Sequence, residues 1–138
     1  MSLQVLRRFE MRIDSEDDVA VVRKKARELA QQRGLDTFAI AAVTTATSEL
    51  VRNAWTHGGG GTAVLEEITD GRRTGIRAEF RDEGPGIEDV DRVLAGGYST
   101  ARSLGLGVSG SRRLVDEMTI ESAAGKGTRV TIVKWARF

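Results

Sequence analysis

The chain has 138 residues with 40% hydrophobic and 30% charged side chains, which is typical of a folded globular protein, and we interpret residues 1–138 as one domain. Its 21 basic and 20 acidic residues give a net charge of +1, so no overall field favours nucleic acid or an anionic membrane as a partner. The chain contains no cysteine, which excludes disulfides and thiolate metal sites, and no stretch apolar enough for a membrane helix, so we expect a cytoplasmic protein.

The N-terminal residues predict a strand followed by a helix. Apolar residues alternate with charged ones over Leu3–Ile13, as in a half-buried strand, and Ser15 with Asp18 predicts a capping box. A helix is then expected over about 16–33, ended by Gly34. One face of this helix is apolar: Val19, Val22, Ala26, Leu29 and Ala30.

A second helix is expected directly afterwards. Asp36 or Thr37 can cap its N-terminus, because short polar side chains accept hydrogen bonds from the first free amides of a helix. The apolar residues that follow predict a helix to about Trp55, and the four consecutive glycines Gly58–Gly61 would end it.

The C-terminal half predicts a sheet with two further helices, at about 88–94 and about 107–116. An Asp-Gly pair at 70–71 is a hairpin signal between the first two of its strands. The strands are expected at Thr62–Thr69, Gly75–Arg81, Met118–Ser122 and Thr128–Lys134. This order of elements predicts an α+β protein, a two-layer sandwich with helices on one face of a mixed, mostly antiparallel sheet.

Glu49 and Asn53 are the first residues that indicate chemistry. They are four residues apart on the second helix, so both side chains leave the same face one turn apart. An amide oxygen suits Mg²⁺, and a carboxylate beside it can take a proton from a hydroxyl group. The alternative is a solvated helix face on which Glu49 pairs with Arg52.

Asp82 begins a second candidate group, the segment Asp-Glu-Gly-Pro-Gly. A carboxylate at a strand end can accept a hydrogen bond from an exocyclic amino group such as that of adenine, and the glycines allow a flat base to approach the backbone. Thr128, which opens the last strand, could assist Asp82. An acidic turn and an ordinary strand threonine remain the alternatives.

A third group is the glycine pattern of Gly105–Gly110. It formally matches G-x-G-x-x-G, but it follows a polar stretch rather than a strand, and no acidic residue lies near position 130 as a dinucleotide-binding fold requires. The Walker pattern is also missing. We therefore interpret the glycines as exposing backbone amides at a helix N-terminus, where phosphate binds well.

Taken in chain order, these motifs resemble the signature of the GHKL ATPases, which share the Bergerat fold. The pattern E-x-x-x-N is followed by D-x-G-x-G, then by a segment ending in L-G-L-G, then by G-T. The similarity extends from the first helix to the last strand. Within that class, the short lid segment that ends in L-G-L-G and four phrases of the chain resemble the RsbT-type serine/threonine kinases of the stressosome. The phrases are ATSELVRNA, DGRRTGI, DEGPGI and GLGVSGSRRLVDE.

The resemblance implies a role for each matching residue. Glu49 would be the general base and Asn53 the Mg²⁺ ligand. Asp82 would accept a hydrogen bond from adenine, supported by Thr128. Arg102 would be a cation that neutralises charge during transfer, although a solvated arginine or a partner contact is an equal alternative. The remaining residues would shape the base pocket or contact the phosphates of ATP: Gly84, Gly86, Ser103, Gly105, Leu106 and Gly107.

The resemblance also implies an activity and partners. A member of this group would use ATP and Mg²⁺ to phosphorylate Ser or Thr on STAS-domain proteins and, when released, would activate a PP2C-type phosphatase. The alternative is an anti-sigma factor of the same fold, which holds a sigma factor inactive and phosphorylates an anti-anti-sigma factor. A structural domain that binds no nucleotide is the remaining possibility.

Overall fold

The computed structural model describes residues 2–86 and 102–136, and within that part it describes no side chains for 102–107. The expected helix at about 88–94 therefore lies outside the described residues. The strands are β1 (Gln4–Ile13), β2 (Gly61–Thr69), β3 (Thr74–Asp82), β4 (Glu117–Ser122) and β5 (Thr128–Trp135). The helices are α1 (Asp17–Gln32), α2 (Thr37–Thr56) and α3 (Arg102–Leu114).

The strands form one sheet in the order β1-β2-β3-β5-β4. Every pairing among the described strands is antiparallel. Helix α2 packs between α1 and α3, and alternate strand residues such as Leu65, Ile76 and Ile132 form a core with the helices. The predicted two-layer α+β sandwich is confirmed.

Helix α1 forms because its apolar residues recur at helical spacing. Its five buried residues are the five predicted from the sequence. Gly34, at φ 78°, ends the helix, and its amide donates to the Gln31 carbonyl at 3.2 Å. The capping box is only half formed: Asp18 accepts from the Ser15 amide at 3.0 Å, but the N-cap residue is Glu16, which makes no side-chain cap bond.

Helix α2 is capped at its N-terminus by Asp36, one of the two candidates in the sequence. Asp36 Oδ1 accepts a hydrogen bond from the Ala39 amide at 2.8 Å, so Asp36 rather than Thr37 is the cap. The helix continues to Thr56 through the centre of the helical layer. It also carries Glu49 and Asn53, so its stability underlies the candidate site.

We predict that Asp36→Ala lowers the free energy of unfolding by about 1 kcal/mol, because the Ala39 amide loses its acceptor. Urea denaturation followed by circular dichroism would measure this change. Asp36→Asn keeps an acceptor oxygen and should retain most of the stability. Equal unfolding free energies for Asp36→Ala and the wild-type protein would contradict the assignment of the cap.

Helix α3 corrects one sequence prediction. It begins at Arg102, so the expected start at about Gly107 is wrong, and Gly105 and Gly107 lie inside the helix. Glycine lowers helix propensity by only about 1 kcal/mol per residue, which packing of the helix against α2 can offset. Since only the amides of a helix's first turn lack partners in the helix, most amides of 105–110 are not exposed in this conformation.

The ends of three elements meet at one edge of this sandwich. Asp82 ends β3 and is paired in register with Thr128, the first residue of β5. The C-terminus of α2 lies above them. No helix within the described residues is long and apolar enough to cross a membrane.

Candidate functional site

A cavity of about 150 Å³ opens where the end of α2 faces β3, β5 and α3. It is smaller than the pockets of about 300 Å³ and above that hold whole drug-sized ligands, so it suits a flat ring whose substituents extend outside. Its walls are mostly apolar, with a few polar side chains. It is lined by Leu50, Asn53, Ala54, His57, Gly58, Phe80, Asp82, Pro85, Gly86, Val108, Thr128 and Val130.

Asp82 supplies a half-buried carboxylate at the base of the cavity. Its Oδ1 atom accepts a hydrogen bond from the Gly84 amide at 2.9 Å. Burial raises the pKa of Asp82 above its usual value, although the amides of Gly84 and Thr128 and the nearby His57 act in the opposite direction. The carboxylate is thus oriented but poorly solvated, and a donor from a ligand would stabilise its charge.

The side-chain amide nitrogen of Asn53 has no hydrogen-bond partner among the described residues. This Nδ2 atom is buried. Buried polar groups are nearly always paired, so an unpaired amide in a cavity wall indicates that a ligand group completes the site. The oxygen and nitrogen of an Asn side chain exchange places by rotation, so Asn53 can present either atom.

Thr128 faces the same cavity from the start of β5. Its Oγ1 atom lies 2.9 Å from Ser122 Oγ, which also donates to the Gly127 carbonyl at 2.8 Å. This contact links β4 to β5 and orients the Thr128 hydroxyl. The structure therefore places Thr128 beside Asp82, as the sequence predicted.

The loop after β3 is held in place by close backbone contacts. Gly86 has φ 79°, and a Cβ built on it would lie 2.0 Å from the Ala123 carbonyl oxygen, so only glycine fits there. The Pro85 carbonyl accepts from the Gly125 amide at 2.6 Å. Gly86 and Pro85 line the cavity, whereas Gly84 contributes through its amide bond to Asp82.

Glu49 does not line the cavity. Its side chain is 41% exposed and pairs with Arg52 Nη1 at 3.1 Å, as the alternative sequence interpretation proposed. It nevertheless lies one helical turn before Asn53, so the two side chains share a side of α2. The structure thus brings four predicted residues together in one cavity: Asn53, Asp82, Gly86 and Thr128. Glu49 lies outside the cavity lining.

Five further candidates lie where the structure describes the backbone alone. Arg102, Ser103, Gly105, Leu106 and Gly107 lie in the first turns of α3, and their side-chain roles stay predictions. Gly105 and Gly107 have no side chains, so any contact with phosphate would come from their backbone within the helix. Val108, the first residue beyond them with a described side chain, is buried in the cavity wall.

Several cavity residues were not predicted from the sequence. His57 lies four residues after Asn53, and that spacing alone would have placed it on the same side of α2. Gly58 and the apolar wall residues Phe80 and Val130 gave no chemical signal, because glycine and apolar side chains occur throughout the chain. Their roles follow from the packing.

The described residues offer no group of three or more His, Cys, Asp or Glu side chains that could hold a metal ion. A metal ion at this cavity would therefore depend on ligands brought by a substrate, with Asn53 contributing one oxygen. This arrangement fits Mg²⁺, which keeps several waters and takes phosphate oxygens as ligands. The unpaired Asn53 amide, the partly desolvated Asp82 carboxylate and the apolar walls all fit a magnesium-bound nucleotide.

Comparisons with known proteins show the family and its relatives. The model of the histidine kinase-like ATPase domain matches residues 13–134. The chain is 39% identical over 127 residues to the serine/threonine-protein kinase RsbT of Bacillus subtilis. This alignment covers 92% of the chain and 96% of the relative. It is also 33% identical over 102 residues to an anti-sigma F factor of a Thermoanaerobacter species, covering 70% of each chain.

Solved structures show the same fold. The crystal structure of the RsbU and RsbW domains of a Mycobacterium tuberculosis protein superposes with a TM-score of 0.63 at 25% identity. The match covers 96% of this chain, which spans about a third (34%) of that longer one. A histidine kinase domain from Erythrobacter litoralis matches at TM-score 0.51 and 20% identity, covering 84% of this chain and 59% of that one, which shows the fold alone.

Proposed function

The chain belongs to the histidine kinase-like ATPase family, and we propose that it is an ATP-dependent serine/threonine protein kinase of a bacterial partner-switching pathway, located in the cytoplasm. The observation that carries the proposal is the single cavity that joins Asn53, Asp82 and Thr128 beneath apolar walls. The similarity to the kinase RsbT over 92% of the chain supports the kinase activity.

In this proposal the cavity holds the adenine ring of ATP. Asp82 accepts a hydrogen bond from the 6-amino group, and the Thr128 hydroxyl supports it from the neighbouring strand. Apolar walls such as Phe80 and Val130 exclude water from the two faces of the ring, which strengthens that hydrogen bond. The ribose and phosphates would extend out of the cavity towards Asn53 and α3.

Mg²⁺, when bound with ATP, supplies positive charge that offsets the phosphate oxygens. Asn53 would hold it through the side-chain oxygen. The free amides at the start of α3 and the guanidinium of Arg102 would add positive potential near the phosphates. Ser103, Gly105, Leu106 and Gly107 would contact the nucleotide from the same turns.

The reaction transfers the terminal phosphoryl group of ATP to a hydroxyl group of a partner protein. The hydroxyl oxygen forms the new bond to phosphorus, the bond to the ADP oxygen breaks, and Glu49 accepts the hydroxyl proton. The ion pair with Arg52 is exposed and weak, so Glu49 can exchange it for the incoming hydroxyl. Positioning and charge neutralisation supply most of the catalysis.

The partners are proposed by analogy with the relatives. STAS-domain proteins would be the substrates, and a PP2C-type phosphatase would be activated when the kinase is released from them. An anti-sigma factor that holds a sigma factor is the second candidate, favoured by the similarity to anti-sigma F factors over 70% of the chain. Affinity capture distinguishes the two: recovery of a sigma factor favours the second, and recovery of a phosphatase or a STAS-domain protein favours the first.

Intact mass measurement tests the proposed activity. STAS-domain proteins encoded by the same genome would be incubated with the chain, ATP and Mg²⁺. We expect one of them to gain the mass of a single phosphate, with the modified Ser or Thr identified by fragmentation. No mass gain on any STAS-domain protein, with ATP bound to the chain, would contradict the kinase assignment.

The raised pKa of Asp82 predicts a pH dependence of base binding. Only the ionised carboxylate is a pure acceptor, so affinity should fall as the pH drops through a pKa above the ordinary Asp value of 3.8. The pH has the opposite effect on folding stability. Ionised Asp82 lowers the free energy of unfolding near neutral pH, and protonation at lower pH removes this loss.

Titration with adenosine between neutral and acidic pH measures this effect without interference from phosphate ionisation. His57 lines the same cavity, so His57→Gln is the control and should keep the fall in affinity. Asp82→Asn should bind weakly at every pH. An affinity for adenosine that stays constant until the ordinary Asp range would refute the raised pKa.

A further inference from the structure

Gly58 lies directly against the Asp82 carboxyl group. A Cβ atom built on Gly58 would lie 2.3 Å from Asp82 Cγ, 2.5 Å from its Cβ and 2.6 Å from Oδ2. Real Cβ atoms essentially never approach other heavy atoms closer than 3.0 Å. The Asp82 side chain therefore occupies the space that any other residue at position 58 would need.

This contact, and not backbone conformation, requires glycine at position 58. The described glycines with positive φ include its neighbours Gly59 and Gly60, but not Gly58 itself. An alanine could thus adopt the local backbone without strain. Among the described residues, the three atoms nearest to a Cβ at position 58 all belong to Asp82.

Asp82 cannot easily move away from an added methyl group. Its backbone is paired with Thr128, and its Oδ1 is held by the Gly84 amide at 2.9 Å. Two further glycines close the packing: a Cβ on Gly84 would lie 2.5 Å from Gly58 Cα, and one on Gly127 would lie 2.3 Å from the Asp82 carbonyl oxygen. The end of α2 and the β4–β5 turn thus fix Asp82 from two sides.

We propose that Gly58 is a positioning residue that sets the place of the Asp82 carboxylate and, through it, the selectivity of the cavity for purines with a 6-amino group. The proposal rests on the proposed function, in which Asp82 reads adenine. It assigns a structural reason to the His-Gly sequence after α2. Gly58 lines the cavity, but its effect on selectivity is exerted through Asp82.

The test compares ATP with purine riboside triphosphate, which lacks only the 6-amino group. Both affinities would be measured by calorimetry with Mg²⁺ for the wild-type protein and Gly58→Ala. We expect the wild-type protein to prefer ATP by about tenfold or more, since one hydrogen bond to a charged group is at stake. Gly58→Ala should lose that preference, because its affinity for ATP should fall by much more than its affinity for the analogue.

Gly59→Ala is the matched control in the same loop. Gly59 has φ +76° and no atom within 4 Å of a built Cβ, so its substitution strains the backbone without touching Asp82. It should lower thermal stability and leave the ratio of the two affinities at the wild-type value. A general loosening of the loop would instead reduce the ratio in both variants, and this would overturn the inference.

The outcomes separate this inference from the proposed function. A wild-type protein that binds ATP and the analogue equally would refute the adenine role of Asp82 and the inference with it. A wild-type preference that Gly58→Ala retains would overturn the inference alone. Should Gly58→Ala fail to fold, Gly84→Ala is the second variant, because its added Cβ would clash with Gly58. A wild-type ratio of the ATP and analogue affinities in Gly84→Ala would equally overturn the inference.

Discussion

Glu49→Ala is expected to lower the rate of phosphoryl transfer to a partner by about 10²- to 10⁴-fold, the usual contribution of a general base. ATP affinity should not change, because Glu49 lies outside the cavity lining. Its side chain is 41% exposed, so its removal creates no cavity in the core. Transfer of labelled phosphate and calorimetry with ATP and Mg²⁺ would measure the two effects separately.

Arg52→Ala is the matched control for this substitution. Arg52 is the ion-pair partner of Glu49, so its removal breaks the same pair and leaves the proposed base in place. Transfer by Arg52→Ala should stay close to the wild-type rate. Wild-type transfer by Glu49→Ala, or an equal loss in both variants, would show that Glu49 is not the base.

Asp82→Asn is expected to weaken ATP binding by about 10- to 100-fold, which is the value of one hydrogen bond to a charged acceptor. The substitution preserves the shape of the side chain. One amide oxygen can still accept from Gly84, but the amide nitrogen is then a donor that faces the donor amino group of adenine. Calorimetry with ATP and Mg²⁺ would measure the loss.

Glu79→Gln provides the comparison for Asp82→Asn. Glu79 lies on the same strand, pairs with Arg81 and is absent from the cavity lining. Its loss of charge should leave ATP affinity unchanged. Equal affinities of the wild-type protein and Asp82→Asn would remove the adenine assignment, and with it the basis for the role of Gly58.

The strands and the first two helices follow from local patterns. The apolar spacing of α1 predicted its five buried residues, and the Asp-Gly hairpin signal predicted the pairing of β2 with β3. These features depend on residues close together in the chain, so sequence periodicity is sufficient to find them. The α+β sandwich followed from their order.

The start of α3 could not be predicted in the same way. Glycine in the sequence favours a helix end, but packing against α2 extends the helix through Gly105 and Gly107 to Arg102. Local propensity is weak compared with tertiary contacts. The same limit applies to the half-formed capping box at Ser15, where Asp18 alone makes the side-chain bond.

The candidate site was predicted where polar residues carry motifs, and missed where packing decides. Asn53, Asp82, Gly86 and Thr128 meet at one cavity as expected from the motifs. The contact between Gly58 and Asp82 joins residues far apart in the chain. Glycine has no side chain, so nothing in the sequence around position 58 predicts this contact. Such a requirement becomes visible only from the distances in the folded protein.

The cavity between α2, β3 and β5 is proposed to bind ATP. A chain of 138 residues suits nuclear magnetic resonance, so a ¹⁵N-labelled sample titrated with Mg²⁺ and a non-hydrolysable ATP analogue tests it directly. We predict saturable shifts at the amides of Asn53, His57, Asp82, Gly84 and Thr128. Absence of binding, or shifts confined to residues outside this cavity, would contradict the account.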